Sequence, residues 1–203
     1  WSWPSLGERT VITEGAAESV GQYVPAPDSR HVFFIAEQAG HEKLFQVPLT
    51  GGAPSQVGEL DAGTYTRIAV GGAAAAPMVG AIWSSSVSPH EVGRVDLATG
   101  RWSALTTFST ARAAAIDWQP AETFWFTSKR GKQIHNMVVK PPGFDPKKKY
   151  PLFVVIHGGP HNMWKDDFVP RWNYHLLASP GYVVLLTNYS GSTGFGEDFA
   201  RSI

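Results

Sequence analysis

At 203 residues the chain can form one large or two modest domains, each burying a core of its own. Its 17 Lys plus Arg balance 17 Asp plus Glu, so no net field draws it toward nucleic acid, an anionic membrane or a strongly charged substrate. Cys is absent, which excludes disulfides, thiolate nucleophiles and Cys-ligated metals, and the longest apolar runs fall far short of the ~20 residues of a membrane-spanning helix.

The segment Trp1-Ser2-Trp3-Pro4-Ser5 has neither the basic start nor the apolar stretch of a signal peptide and no initiator Met, so the sequence reads as an internal stretch of a longer protein. Up to residue 127 the apolar stretches are short, β-branched or aromatic, and bounded by Gly, Pro, Asp and Ser, which predicts antiparallel strands and turns. Val32 to Ala36 is expected to be an inner strand and Lys43 to Leu49 the next, ending at the turn Thr50-Gly51-Gly52. The pattern returns in Val79 to Trp83, Gly93 to Leu97 and the turn Ala98-Thr99-Gly100, with Leu49 and Leu97 48 residues apart. A repeat of roughly 40–50 residues matches a four-stranded propeller blade, and an antiparallel sandwich with similar hairpins matches it as well. In Val24 to Arg30, Pro and Asp preset a tight turn ahead of the strand.

Glu122 to Thr127 and Gln133 to Lys140 flank the polar turn Ser128 to Lys132 and read as a hairpin. A Pro-rich connector, Pro141 to Pro146, leads to Lys147-Lys148-Lys149, a solvated turn or an anion contact. Beyond it, Tyr150 to Ile156 and Gly181 to Asn188 are apolar without alternation, the composition of parallel strands covered by helices on both faces. Between them Phe168 to Ser179 carries Trp172, Leu176 and Leu177 at helical spacing, closed by Pro180-Gly181. The last residues, Phe199 to Ile203, read as a helix barely begun.

The first of these strands runs into His157-Gly158-Gly159-Pro160. In α/β-hydrolases the loop at this place supplies half of the oxyanion hole, and adjacent glycines let backbone N–H groups approach a substrate carbonyl oxygen with no Cβ in the way. Losing one such donor costs about 3 kcal/mol. Two glycines after a strand also make an ordinary tight turn.

Three segments, Lys149 to Pro160, Gly181 to Val184 and Asn188-Tyr189-Ser190-Gly191-Ser192-Thr193-Gly194-Phe195-Gly196, resemble the opening of the catalytic domain of the prolyl oligopeptidase family of serine peptidases. Arg171-Trp172-Asn173 and the Gly-Ser-Thr-Gly-Phe-Gly ending are most similar to the dipeptidyl-peptidase V and acylaminoacyl-peptidase branch. The resemblance implies β-propeller blades over residues 1–127, followed from 128 to 203 by the N-terminal part of an α/β-hydrolase domain that stops before the nucleophile. The phrase Pro25 to Arg30 is similar to the turn punctuation of family propellers.

The implied activity is that of a serine exopeptidase releasing N-terminal dipeptides through an acyl-enzyme, without metal or cofactor, the alternative being an acylaminoacyl-peptidase or oligopeptidase. Its partners are a peptide substrate and the remainder of the polypeptide, with a homodimer left open and a periplasmic or secreted setting favoured. Gly159 is the expected direct oxyanion donor. His157 either donates or braces the loop, and bracing is favoured. Many relatives carry Arg where this chain has Ser190, so that arginine's role does not transfer.

No Gly-x-Ser-x-Gly occurs, so nucleophile, acid and base all lie outside these residues. His31, His41, His90, His135, His161 and His175 are read as surface or loop residues rather than as a base. An α-ammonium would need a carboxylate, for which Glu14, Glu18, Glu37 and Glu42 are available. Glycines at 191, 194 and 196 have the wrong spacing for a dinucleotide fingerprint. The rival of another class is a non-catalytic propeller that binds partners, which the missing triad also fits.

Overall fold

The computed structural model describes residues 10–14, 16 and 18–203, so the segment Trp1 to Ser5 lies outside the described residues. The described residues are mostly strand with few helices, arranged as three four-stranded sheets. The first is an antiparallel meander of β1 (Ser19–Pro25), β2 (His31–Gln38), β3 (His41–Pro48) and β4 (Ser55–Gln56). The second repeats it with β5 (Thr64–Ala73), β6 (Ala76–Ser85), β7 (Ser88–Val95) and β8 (Trp102–Ala104). After a short helix, α1 (Thr110–Ala113), come β9 (Glu122–Thr127), β10 (Gln133–Val139), β11 (Leu152–Ile156), α2 (Tyr174–Ala178), β12 (Val183–Asn188) and α3 (Glu197–Ala200). The third sheet has the order β11-β12-β10-β9, in which β11 and β12 pair in parallel and the other pairs are antiparallel.

The repeat has a packing basis. Val47 on β3 and Val95 on β7, equivalent at the 48-residue offset, are both fully buried, and the strands before them supply Phe33 and Ile35 in one sheet and Ala81 in the other. Phe33, Ile35, Ala81 and Val95 join Tyr65, Ile68 and Val79 in one core between the first and second sheets, while Val47 packs on the other face of its own sheet. Val32, Phe34, Ala36 and Phe45 form a smaller cluster on the opposite face, so β2 is buried on both sides and shows no alternation. The turn ahead of β2 closes as its residues demand: Asp28 accepts from the N–H groups of Arg30 and His31, and its other oxygen meets His31 Nδ1 at 2.7 Å. Asp96 repeats the device on Ala98 and Thr99.

In the third sheet Met137, Val139, Val184 and Leu186 pack with Tyr174 and Ala178 of α2. The helix is shorter than its spacing suggests. Asn173 caps it, accepting from the N–H groups of His175 and Leu176, which fixes the start after Pro170-Arg171-Trp172 and leaves Trp172 and Leu176 exposed. The expected cover on both faces is also incomplete: β11 is an edge strand, and its Leu152, Phe153, Val154 and Ile156 are exposed. β9, which precedes residue 128, is hydrogen-bonded into this third sheet.

Candidate active site

The end of β11 delivers the glycine loop. His157 is buried while Gly158 and Gly159 are exposed, and no loop carbonyl among the described residues takes either glycine's N–H. The backbone of Gly159 has φ +137°, a conformation L side chains rarely adopt, and a Cβ there would come 2.8 Å from His161 N. At Gly158 a Cβ would meet nothing within 4 Å. Two exposed glycines with no backbone acceptor for their N–H groups thus stand at the C-terminal end of a parallel strand, one of them in a glycine-only conformation.

His157 holds this loop from behind. Its ring stacks on Tyr189 with centroids 4.5 Å apart, and its Nε2 lies 2.8 Å from Ser192 Oγ. Ser192, wholly buried, also donates to Tyr189 O at 2.7 Å, and Tyr189 Oη donates to His157 O at 2.7 Å. With the hydroxyl proton of Ser192 directed at Tyr189 O, the neutral imidazole carries its proton on Nε2 and donates to Ser192. Burial lowers the pKa of His157, outweighing the backbone bond to Gly158 and the charge of Glu37, and keeps the ring neutral near pH 7. Its Nδ1 is 3.1 Å from Gly158 O, a bond that forms only when that nitrogen also carries a proton, the charged state that burial disfavours.

The segment that follows the glycines is tied to β12. Asn188, wholly buried at the end of that strand, accepts from Trp164 N–H at 2.7 Å and donates to Trp164 O at 3.0 Å. Trp164 Nε1–H in turn reaches Val155 O on β11. The Gly-rich turn after β12 meets the first sheet: Ala39 N–H donates to Gly194 O, and a Cβ on Gly194 would strike Met163 Sδ at 2.4 Å. Beside this contact lies a cleft of about 430 Å³ whose lining includes Glu18, Glu37, Trp125, Phe195 and Phe199.

The four carboxylates singled out in the sequence therefore separate. Glu18 and Glu37 share the cleft, Glu42 is paired with Lys165 at 3.0 Å, and Glu14 is exposed. His135 is not a surface residue: it is 2 % exposed on β10, set among Trp125, Phe195 and Asn188, with its pKa lowered to about 4 by burial and then by the charge of His41. His175, on α2, is half-buried, bonded to Gln119 O and similarly lowered by burial. It borders an apolar cavity of about 420 Å³ with Trp118, Phe168 and Leu176, between the segment ahead of β9 and α2. Among the described residues no group of three His, Cys, Asp or Glu is placed to hold a metal ion, and no helix is long and apolar enough to cross a membrane.

No family model matches the chain. Over 82 residues, 40% of the chain, it is 45% identical to dipeptidyl-peptidase 5 of Schizosaccharomyces pombe and 48% identical to dipeptidyl-peptidase 5 of Arthroderma otae. The chain is related to the prolyl oligopeptidase family. Its matched stretch is only 12% and 11% of those two proteins. Among solved structures, the acylaminoacyl peptidase of Pyrococcus horikoshii superposes with a TM-score of 0.76 at 22% identity, covering 93% of this chain and 28% of that one. An acylaminoacyl peptidase in complex with Z-Gly-Gly-Phe-chloromethyl ketone gives 0.79 over 96% of this chain and 29% of that one, and dipeptidyl peptidase 4 of Porphyromonas gingivalis 0.68 over 94% and 27%, both at 22% identity. These likenesses establish a shared fold for nearly the whole chain.

Within this relative of the family, sequence reasoning names the glycine loop but misses Asn188 and Ser192, the two buried polar residues that hold it. A signal is available for Asn188, an Asn ending an apolar strand run, where a buried amide must find partners. None is available for Ser192, one serine of a turn rich in them.

Proposed function

We propose that the chain is the junction of a serine peptidase, in which blades of a β-propeller lead into the start of an α/β-hydrolase domain and the loop His157 to Pro160 forms half of the oxyanion hole. We set the junction near residue 128 or a few residues earlier, the pairing of β9 with β10 supporting the earlier position. The observation that carries the reading is the pair of exposed glycines, Gly158 and Gly159, whose N–H groups have no backbone acceptor among the described residues, at the end of β11 beside a His157 ring held by Tyr189 and Ser192. Gly159 N–H donates to the developing oxyanion and His157 braces the loop. The carbonyl oxygen gains charge when a serine outside these residues attacks it, and a preset donor stabilises that charge without reorganisation.

The intact polypeptide releases N-terminal dipeptides through an acyl-enzyme. Identity near one half to two dipeptidyl-peptidases supports this over the acylaminoacyl alternative. So does the cleft beside Gly194, where Glu18 and Glu37 are the carboxylates available to a substrate α-ammonium. The apolar face of β11 would be covered by further polypeptide of the same domain. The test is to treat the intact polypeptide with a fluorophosphonate probe and assay dipeptidyl and acyl-aminoacyl substrates. Covalent labelling with dipeptide release is expected. Absence of labelling refutes the serine hydrolase and leaves a partner-binding propeller, and cleavage of blocked N-termini alone refutes the dipeptidyl assignment.

A further inference from the structure

We infer that Asp166, assisted by Asp167, is a positioning residue that couples the first two sheets to the glycine loop; the inference rests on the peptidase reading above. The loop after Pro160 touches all three sheets within a few residues. Asp166 reaches away from its own sheet, and its two carboxylate oxygens accept from two separate backbone groups of the second sheet's neighbourhood, Gly63 N–H and Ser86 N–H, each at 2.7 Å. Its own N–H donates to Gly40 O at the tip of the β2–β3 hairpin, at 2.9 Å. Asp167 accepts from Ser84 Oγ and lies 3.6 Å from His90 Nε2, while Lys165 pairs with Glu42 on β3. Ser84 and Ser86 are buried, so these bonds form where water competes poorly.

The same short segment is fastened to the candidate oxyanion loop. Trp164 is held by Asn188 and by Val155 O, and its ring meets His157 edge-on with centroids 6.2 Å apart. Asp166 is thus two residues from the side chain that packs on His157 and seven from Gly159. Any shift of the first two sheets pulls on Asp166 and is felt at Trp164 and His157, because the intervening backbone is bonded at both ends. A contact whose purpose was adhesion between sheets alone would have no need of this fastening to the catalytic strand.

The test uses the intact polypeptide and the variants Asp166→Asn, Asp166→Ala and Asp167→Asn. An Asn side chain fills the same space but turns an N–H₂ donor toward one of the two backbone donors. Active sites are counted by fluorophosphonate labelling, so that kcat is expressed per labelled nucleophile and unfolded protein drops out. The expected result is a fall of about tenfold in kcat for Asp166→Asn, larger for Asp166→Ala and smaller for Asp167→Asn, with KM within about twofold. Inhibition by a peptide aldehyde, whose adduct carries an oxyanion, should weaken in parallel with kcat/KM. If the wild type does not label, the peptidase reading fails. If it labels, and the Asp166 variants keep kcat per site and aldehyde affinity while only their melting temperature falls, the residue is purely structural and the inference is overturned. A rise in KM with unchanged kcat also overturns it.

Discussion

The most demanding prediction concerns the β2–β3 hairpin tip, where Ala39 and Gly40 both have positive φ, +49° and +87°. That is the backbone of a two-residue hairpin turn of the type that prefers Asn-Gly. Gly40 is buried, and a Cβ there would lie 2.9 Å from His135 Cε1, a ring itself fixed among Trp125, Phe195 and Asn188. Gly40→Ala therefore carries about 1–2 kcal/mol of left-handed backbone strain and about 1–3 kcal/mol of overpacking, less a fraction of a kcal/mol from a stiffer unfolded chain, for a net loss of about 3 kcal/mol. Ala39→Asn moves the other way, gaining about 0.5–1 kcal/mol by placing a residue tolerant of that conformation. Urea unfolding of the intact protein with m held constant reads both. A loss under 0.5 kcal/mol for Gly40→Ala would show that the hairpin tip is not pressed against His135.

Three further outcomes follow. His135 has a folded pKa of about 4 against 6.5 for a free ring, so the unfolded chain binds the extra proton and stability falls as pH drops from about 6.5 to about 4. The loss approaches about 3 kcal/mol and shrinks in His135→Gln, as urea midpoints across that pH range will show; a flat profile contradicts the burial argument. Ser192→Ala strips a buried acceptor from His157 and should cost about 1–3 kcal/mol in the same assay, with kcat falling as the loop loosens. Gly158→Ala, where the new Cβ meets no protein atom, should leave stability within about 0.5 kcal/mol yet lower kcat by crowding the oxyanion; unchanged kcat would place the substrate elsewhere.

Where the sequence pattern was regular it led directly to structure, and where tertiary contacts set the pattern it did not. The run Val32 to Ala36 and its return as Val79 to Trp83 mark β2 and β6, because inner strands concentrate apolar residues. β5 escapes the same reading: a bulge between Tyr65 and Arg67 shifts the register, so buried Tyr65 and Ile68 fall three residues apart and break the two-residue period. The glycine loop is legible because its chemistry demands glycine. Asp166 is not, since its partner Gly63 lies 103 residues away in a polar loop without periodicity. His135 misleads for a related reason, as a histidine near a polar hairpin gives no hint that Trp125 and Phe195 close over it.

The central claim, that the loop at the end of β11 presents an oxyanion donor, is tested most directly by a crystal structure of the intact polypeptide with a dipeptidyl boronic acid. The adduct places a tetrahedral oxygen where the oxyanion forms. The account predicts that this oxygen sits within about 3 Å of Gly159 N, with His157 still stacked on Tyr189 and bonded to Ser192. A boronate oxygen bound away from Gly158 and Gly159, or a His157 ring swung out of its stack to meet it, would contradict the account.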